Sequence, residues 1–468
     1  MRPAPPAGPL PVGLPVVLDP QVRRLEGGTV LLGGDPGRLV RLRGDVDALL
    51  GGLAEGRAAD ARVRTLARTL VDGGLAHPRP GAAPVGDLVV VVPVRDRAPE
   101  LERCLTALGR DVPVLVVDDG SRDPGPVAQV CRRAGAELLA LRVNRGPAGA
   151  RNAGLAATGA PLVAFVDSDC LAPPGWLEGL VGHFADPVVA AVAPRVRSLP
   201  GAGLLGRYAV ARGPLDLGAV EGAVRPGTRV SYVPTATLVV RRSALALADP
   251  FDAALRYGED VDLVWRLHDA GWRVRYDPRT VVLHGEPERW SRWLERRHRY
   301  GTSAGPLASR HPARLTPLVL TPWPTVSWLL LALGRPLPAL AAAAVPAAQL
   351  HRTLRRTGLP RAARAATAVR AAAQGVRATA TGLGGAGTVV TGPVLLGLLA
   401  PRRTRRAALL LLLAPPLLEW AGRRPAVDPL RWTALRLLDD LAYASGVWRG
   451  CLAERTLAPL RVRGSRPR

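Results

Sequence analysis

The chain has 468 residues, 48% of them apolar, and a formal net charge of +25 at neutral pH. Such a length exceeds one ordinary domain and supplies ample apolar material for packed cores, and so large a positive balance suggests a nucleic-acid partner. Two features weaken that reading. All 63 basic residues are arginine, which points to a biased base composition in the coding sequence. The charge is also confined: residues 1–288 hold 34 Arg against 32 acids, and residues 289–468 hold 29 against 6. The arginines of the basic part are shared with the longest apolar runs of the chain, so nucleic acid is not expected as a partner.

Residues 13–76 read as a small α+β domain. The segments 29–32 and 39–42 are short strand patterns separated by Gly33-Gly34-Asp35-Pro36, a turn signal. Val63, Leu66, Leu70 and Val71 then fall at helical spacing, closed by Gly73-Gly74. Residues 77–86, rich in Pro and Gly, read as a linker. The Pro-rich N-terminal segment has no continuous apolar run, which predicts no secretory signal. Cys104, Cys131, Cys170 and Cys451 show no CxxC spacing, so neither a zinc site nor a disulfide framework is expected. Together these predict that the N-terminal two thirds lie in the cytosol.

From residue 87 the pattern becomes strand, helix, strand, helix. The apolar runs 88–94, 112–117 and 162–166 read as strands buried on both faces, with helical patterns at Leu101, Leu105 and Leu108 and over 147–157. That alternation predicts an α/β domain over 87–300, a mostly parallel sheet covered by helices, with ligands bound beyond the carboxyl ends of the strands. From about residue 301 the chain reads as an arginine-rich helical region. The stretches 315–334 and 378–401 are uncharged over 20 and 24 residues, and 407–418 is a shorter apolar run. A bilayer core needs about 20 apolar residues per helix, so membrane association, with one or more spans, is expected for 301–468. Arg402, Arg403, Arg405 and Arg406 would serve as the cytoplasmic anchors.

The polar clusters follow the apolar runs. Pro93-Val94-Arg95-Asp96 ends the first, Asp118-Asp119-Gly120-Ser121 the second, and Asp167-Ser168-Asp169 the third. The stretch 144–154 opens a helix, Gly258-Glu259-Asp260 heads another, and His284 ends a later apolar run. Each cluster alone is an ordinary turn or helix start; their order is the specific signal. A diphosphate leaving group needs a divalent cation, Mg²⁺ or Mn²⁺, which two aspartates one residue apart at a strand end can hold. A carboxylate across the reacting carbon can take a proton from an acceptor hydroxyl. Asp260 is the candidate for that task, with Glu259 and Asp262 as competitors. Its place at a helix N-terminus, where the dipole favours negative charge, predicts an ionised carboxylate.

In the order of these motifs, residues 87–300 resemble a family 2 glycosyltransferase of the GT-A fold. The resemblance implies a nucleotide-sugar donor and an inverting displacement with Asp260 as base. It places Asp119 on the base of the nucleotide, Asp167 on the ribose or metal, Asp169 on the metal, and Pro93, Arg95 and Arg151 about the nucleotide. His284 is implied as a further contact to metal or diphosphate. Within the family the whole chain, through His284-Gly285-Glu286-Pro287, resembles the glycosyltransferases of the mycofactocin system. That implies glucose transfer from UDP-glucose to a peptide-derived redox cofactor precursor, and makes residues 13–76 similar to domains that bind a pathway peptide or protein. The alternative for 13–76 is an extension packed on the catalytic domain. Alternatives for the whole are a polyprenyl-phosphate or lipid glycosyltransferase and an inactive membrane-bound nucleotide-binding protein. A dinucleotide dehydrogenase is disfavoured, because Gly146-Pro147-Ala148-Gly149 does not make a GxGxxG turn after the first strand.

Overall fold

The computed structural model describes residues 1, 3–245, 250–312, 314–315, 319–357, 360–398, 402–461 and 463–464. The chain forms two compact units, Met1–Leu199 with Arg212–Glu286, and Pro200–Ala211 with Pro287–Arg468.

The first unit holds the expected α/β sheet. Its strands are β1 (Leu88–Val94), β2 (Val114–Asp118), β3 (Glu137–Ala140), β4 (Leu162–Val166), β5 (Cys170–Leu171), β6 (Val189–Ser198), β7 (Thr237–Arg241) and β8 (Arg273–His284), with a ninth short strand, Gly222–Ala223, on β8. Interleaved helices include α1 (Ala98–Leu108), α2 (Gly125–Ala134), α3 (Gly146–Ala157) and α4 (Glu259–Asp269). The order across the sheet is β5-β8-β6-β7-β4-β1-β2-β3. Strands β3, β2, β1 and β4 run parallel, as the unbroken apolar character of β1, β2 and β4 predicts. The remainder departs from a mostly parallel sheet: β7 is antiparallel to both β4 and β6, and β5 to β8, so the sheet is mixed.

Close approach of α3 to the sheet depends on Gly154, where a Cβ would collide with Val91 of β1 and crowd Val117 of β2. Pro93 lies beyond the last β1–β4 pair, Val91 with Phe165, so its missing N–H costs no ladder bond on that side. Because β2 and β4 flank β1 on opposite sides, the carboxyl end of β1 is a point where strand order reverses.

The small α+β assembly also belongs to the first unit. Arg23–Leu25, Val30–Gly33 and Arg38–Arg41 form an antiparallel sheet, followed by helices Val46–Ala54 and Ala61–Asp72 around a core of Leu31, Leu53, Leu70 and Leu75. The expected linker starts later than 77, since Ala76–Pro78 is a strand paired with Val16–Leu18. His77 is buried and bonded to Asp19 at 2.7 Å. This assembly is joined to the α/β sheet by buried charge: Arg68 donates to both oxygens of Asp186, at 2.6 and 2.8 Å. Arg273 likewise grips Asp72, at 3.0 and 2.9 Å.

The second unit is helical: α5 (Trp290–Thr302), α6 (Pro322–Ala332), α7 (Pro336–Thr353), α8 (Arg361–Leu398), α9 (Arg402–Arg423) and α10 (Pro429–Ala453). It takes in helix Leu204–Ala211 from within the span read as catalytic, because Tyr208 packs between Trp293 and Trp432 at centroid distances of 5.9 and 5.1 Å. The contact boundary therefore falls at 286/287, where the sequence reading had 300/301. Gly301 and Gly446 let α5 and α10 meet backbone to backbone, since a Cβ on either would collide with the facing carbonyl, Tyr443 or His298.

The spans expected from the apolar runs are not borne out. Among the described residues no helix is long and apolar enough to cross a membrane. Among the described residues of the run 315–334 the one helix is α6, 11 residues or roughly 17 Å at about 1.5 Å per residue, ended by Gly334 at φ +73°. Glycines and threonines dilute the run within α8, and the third shares α9 with Arg402, Arg403, Arg405 and Arg406. Residues 316–318 and 399–401, parts of the first two runs, lie outside the described residues.

Candidate active site

The expected residues gather at the carboxyl ends of β1, β2 and β4. Asp118 ends β2, its carboxylate accepting the Ser121 amide at 3.0 Å, and Gly120 (φ +66°) turns the chain beneath the Asn144 loop. A Cβ there would lie 2.8 Å from the Asn144 amide nitrogen, so the turn needs glycine. Asp119 accepts from the Arg145 amide at 2.6 Å and the Asn144 side chain at 2.8 Å, which locks this loop at the head of α3. Burial raises the Asp119 pKa above the ordinary carboxylate value, and the amides of Arg145 and Gly146 oppose that rise. Both oxygens thus carry internal bonds, with lone pairs left over. Arg95 is exposed beside Asp96, at 3.8 Å.

Beyond β4, Asp167 and Asp169 converge with His284, although the histidine is more than a hundred residues downstream. One ligand atom from each of the three lies within 4.8 Å of the others. Strand pairing makes the meeting: Cys170 of β5 is opposite His284 at the end of β8, and the Gly285 amide donates to the Asp169 carbonyl at 2.9 Å. Two carboxylates and an imidazole suit a divalent cation with mixed oxygen and nitrogen ligands, Mn²⁺ more readily than Mg²⁺. Arg97, just before α1, donates to Asp169 at 2.9 Å and places a cation on this corner.

Arg151 does not line the site in the manner expected. Its side chain is 4% exposed and lies beneath, donating to Glu259 at 2.8 Å and Asp167 at 2.7 Å. Burial opposes its charge, but Asp167 and Glu259 outweigh that and raise its pKa. One guanidinium therefore ties the head of α4 to the end of β4. Asn152 adds a second tie, exchanging bonds of 2.7 and 3.1 Å with the backbone of Phe251 on the segment leading to α4.

These ties sort the three acids of α4. Glu259 is engaged by Arg151, and Asp262 is buried and paired with Arg266 at 2.7 Å. Asp260 is half-buried, accepts the Val261 amide at 2.8 Å and makes no ion pair among the described residues. The helix terminus does not keep it an ordinary acid. Burial first, then the adjacent Glu259 carboxylate, push its pKa up to about 7, against the pull of the Val261 amide and Arg151. A carboxyl so poised exchanges protons near neutrality, as a general base must.

Sequence reasoning missed Arg97, Asn152 and Glu286. Arg97 had a signal, the charged run after the first strand; Asn152 had one in the Arg-Asn pair on an otherwise small-residue helix. Glu286 stood in a quoted motif with no role attached.

The family model described as Glycosyl transferase family 2 matches residues 89–245, from β1 past β7. A curated relative from Mycobacterium tuberculosis, "Pre-mycofactocin glycosyltransferase", is 41% identical over 470 residues, covering 97% of this chain and 98% of its own. Another from the same organism, "N-acetylglucosaminyl-diphospho-decaprenol L-rhamnosyltransferase", is 31% identical over 231 residues, 42% of this chain and 75% of its own. A solved Pyrobaculum calidifontis mannosyltransferase, in complex with GDP-Man and Mn²⁺, is 20% identical with a TM-score of 0.46 over 79% of this chain and 89% of its own. With the family model on its strand-and-site region and 41% identity nearly end to end, the chain belongs to the family 2 glycosyltransferases.

Proposed function

We propose that this glycosyltransferase moves a hexose, glucose from UDP-glucose, onto a peptide-derived redox cofactor precursor, with inversion at the anomeric carbon. The acceptor rests on one observation, the near full-length match to the pre-mycofactocin enzyme. In the mechanism, Asp260 accepts the proton of an acceptor hydroxyl as that oxygen bonds to the anomeric carbon and the bond to the diphosphate breaks. Arg151 holds Asp167 and the head of α4 in register during this step. Asp119 and the loop it anchors face the base of the nucleotide, with Pro93 and Arg95 beside it. Asp167, Asp169 and His284 would hold a divalent cation, which when bound would neutralise charge on the departing diphosphate. Arg97 can pass from Asp169 to a phosphate oxygen. A donor screen with the purified enzyme and precursor, read by mass spectrometry, should give product with UDP-glucose, each transfer adding one hexose, and none with other sugar nucleotides. Transfer to a polyprenyl-linked acceptor instead would favour the second reading, which the rhamnosyltransferase relative supports.

For the second unit we propose interfacial, not spanning, contact with an anionic membrane, with the catalytic unit on the cytoplasmic side. Support comes from Leu329, Leu333, Leu337 and Leu340, which stand exposed on α6, α7 and their junction, in a region with 29 Arg against 6 acids. All four cysteines are free and buried, consistent with a reducing compartment.

A further inference from the structure

His284 is held so that its two ring nitrogens face two different acids. Its Nε2 lies 3.3 Å from Asp169 Oδ1, toward the corner shared with Asp167, and its Nδ1 lies 3.5 Å from Glu286 Oε1. The backbone fixes the ring's root on both sides. Ser198 of β6 and Cys170 of β5 are both its register partners, and the Leu199 amide donates to its carbonyl at 2.8 Å. The ring is 4% exposed, so it has little room to turn. Glu286 is itself enclosed, its side chain 8% exposed, and the Ser198 hydroxyl donates to the same Oε1 at 3.3 Å.

We propose that Glu286, seated by Ser198, is a positioning residue that fixes the tautomer and orientation of His284 for the cation site. A neutral imidazole carries one proton, and only its bare nitrogen can bind a metal. An anionic oxygen facing Nδ1 favours the proton there once a cation at the corner takes up the Asp169 charge that faces Nε2. That leaves the Nε2 lone pair directed to the corner where Asp167 and Asp169 meet. At 3.5 Å the Nδ1–Glu286 contact is longer than a good hydrogen bond, so its pull on the ring proton is mainly electrostatic. Carboxylate–histidine–metal arrangements work in this way, and loss of the outer carboxylate typically weakens metal affinity about 10- to 100-fold. Glu286 never touches substrate in this scheme; it acts through His284.

The inference rests on the proposal that Asp167, Asp169 and His284 hold a cation, and the test separates the two. Mn²⁺ binding to the full-length enzyme is measured by electron paramagnetic resonance without donor or acceptor, and the His284 tautomer by ¹⁵N NMR of histidine-labelled protein. Wild-type enzyme saturated with Mg²⁺, which is diamagnetic, should show the proton on Nδ1. Glu286→Gln should weaken Mn²⁺ about 10- to 100-fold and erode that tautomer preference, with UDP binding in EDTA retained. Ser198→Ala should move both readouts the same way by less, and is decisive if Glu286→Gln does not fold. His284→Ala is the control. If it weakens Mn²⁺ while Glu286→Gln and Ser198→Ala leave affinity and tautomer unchanged, the positioning role falls and the metal site stands. If His284→Ala leaves Mn²⁺ binding unchanged, the metal reading falls and this inference with it.

Discussion

Replacing Asp260 by Asn keeps the side chain's shape and its bond to the Val261 amide while removing the proton acceptor. General-base catalysis contributes about 10²–10⁴ in rate, so turnover should fall by two to four orders of magnitude, about 3–5 kcal/mol in the barrier. The pKa supplies a second signature. A carboxyl raised to about 7 is active only when ionised, so activity is lost as pH falls through that value. With that midpoint, roughly 90% is ionised at pH 8 and roughly 10% at pH 6, and wild-type kcat/KM should drop about tenfold per unit below it. The residual activity of Asp260→Asn should lack this limb. Stability runs the other way. The folded pKa lies above the unfolded one, so the folded state binds more protons between about pH 4 and 7, and Asp260 costs stability as pH rises through that window. Asp260→Asn should therefore melt at a higher temperature than wild type at pH 8, and the difference should shrink at pH 5. Nucleoside diphosphate release, donor affinity by calorimetry and thermal melts at the two pH values provide the assay. Near-wild-type turnover in Asp260→Asn, or an unchanged acid limb, would refute the assignment; a large loss for Glu259→Gln alone would move it to the neighbour.

Asp169→Ala should abolish transfer and weaken Mn²⁺-dependent donor binding, and full activity in EDTA would contradict a cation at this corner. Arg68→Ala strands the buried Asp186 carboxylate and should destabilise the first unit by about 3–5 kcal/mol, measured by urea unfolding. A change below 1 kcal/mol (about a surface pair's worth) would show the contact to be solvated in solution. Flotation with anionic vesicles should recover the enzyme, and Leu333→Glu with Leu337→Glu should reduce recovery without loss of donor hydrolysis; recovery equal to wild type would place lipid contact elsewhere.

Much of the catalytic sheet was legible in the sequence because β1, β2 and β4 are buried on both faces and read as unbroken apolar runs. The polar residues after each run were legible for the same reason, since strands end where the pattern breaks. The antiparallel part was not, because Thr237–Arg241 and Val189–Ser198 carry direction only through their partners. The residue pattern alone left His284 unplaced; the family resemblance implied its contact with the metal, and the Cys170–His284 pairing is what brings it to Asp169. The role of Arg151 was misread because its partners, Asp167 and Glu259, stand far apart in sequence and share one buried guanidinium in space. The expected membrane spans failed on local chemistry, as Gly334 ends α6 and glycine and threonine make the α8 run less apolar than its lack of charge suggests.

The claim at the centre of the account is a single inverting displacement with Asp260 as the base, and the configuration of the product tests it most directly. Product formed by the purified enzyme from an α-configured sugar nucleotide is isolated, and its anomeric proton coupling is read by NMR. The account predicts a β-linked sugar, absent or strongly diminished with Asp260→Asn. An α-linked product would contradict it.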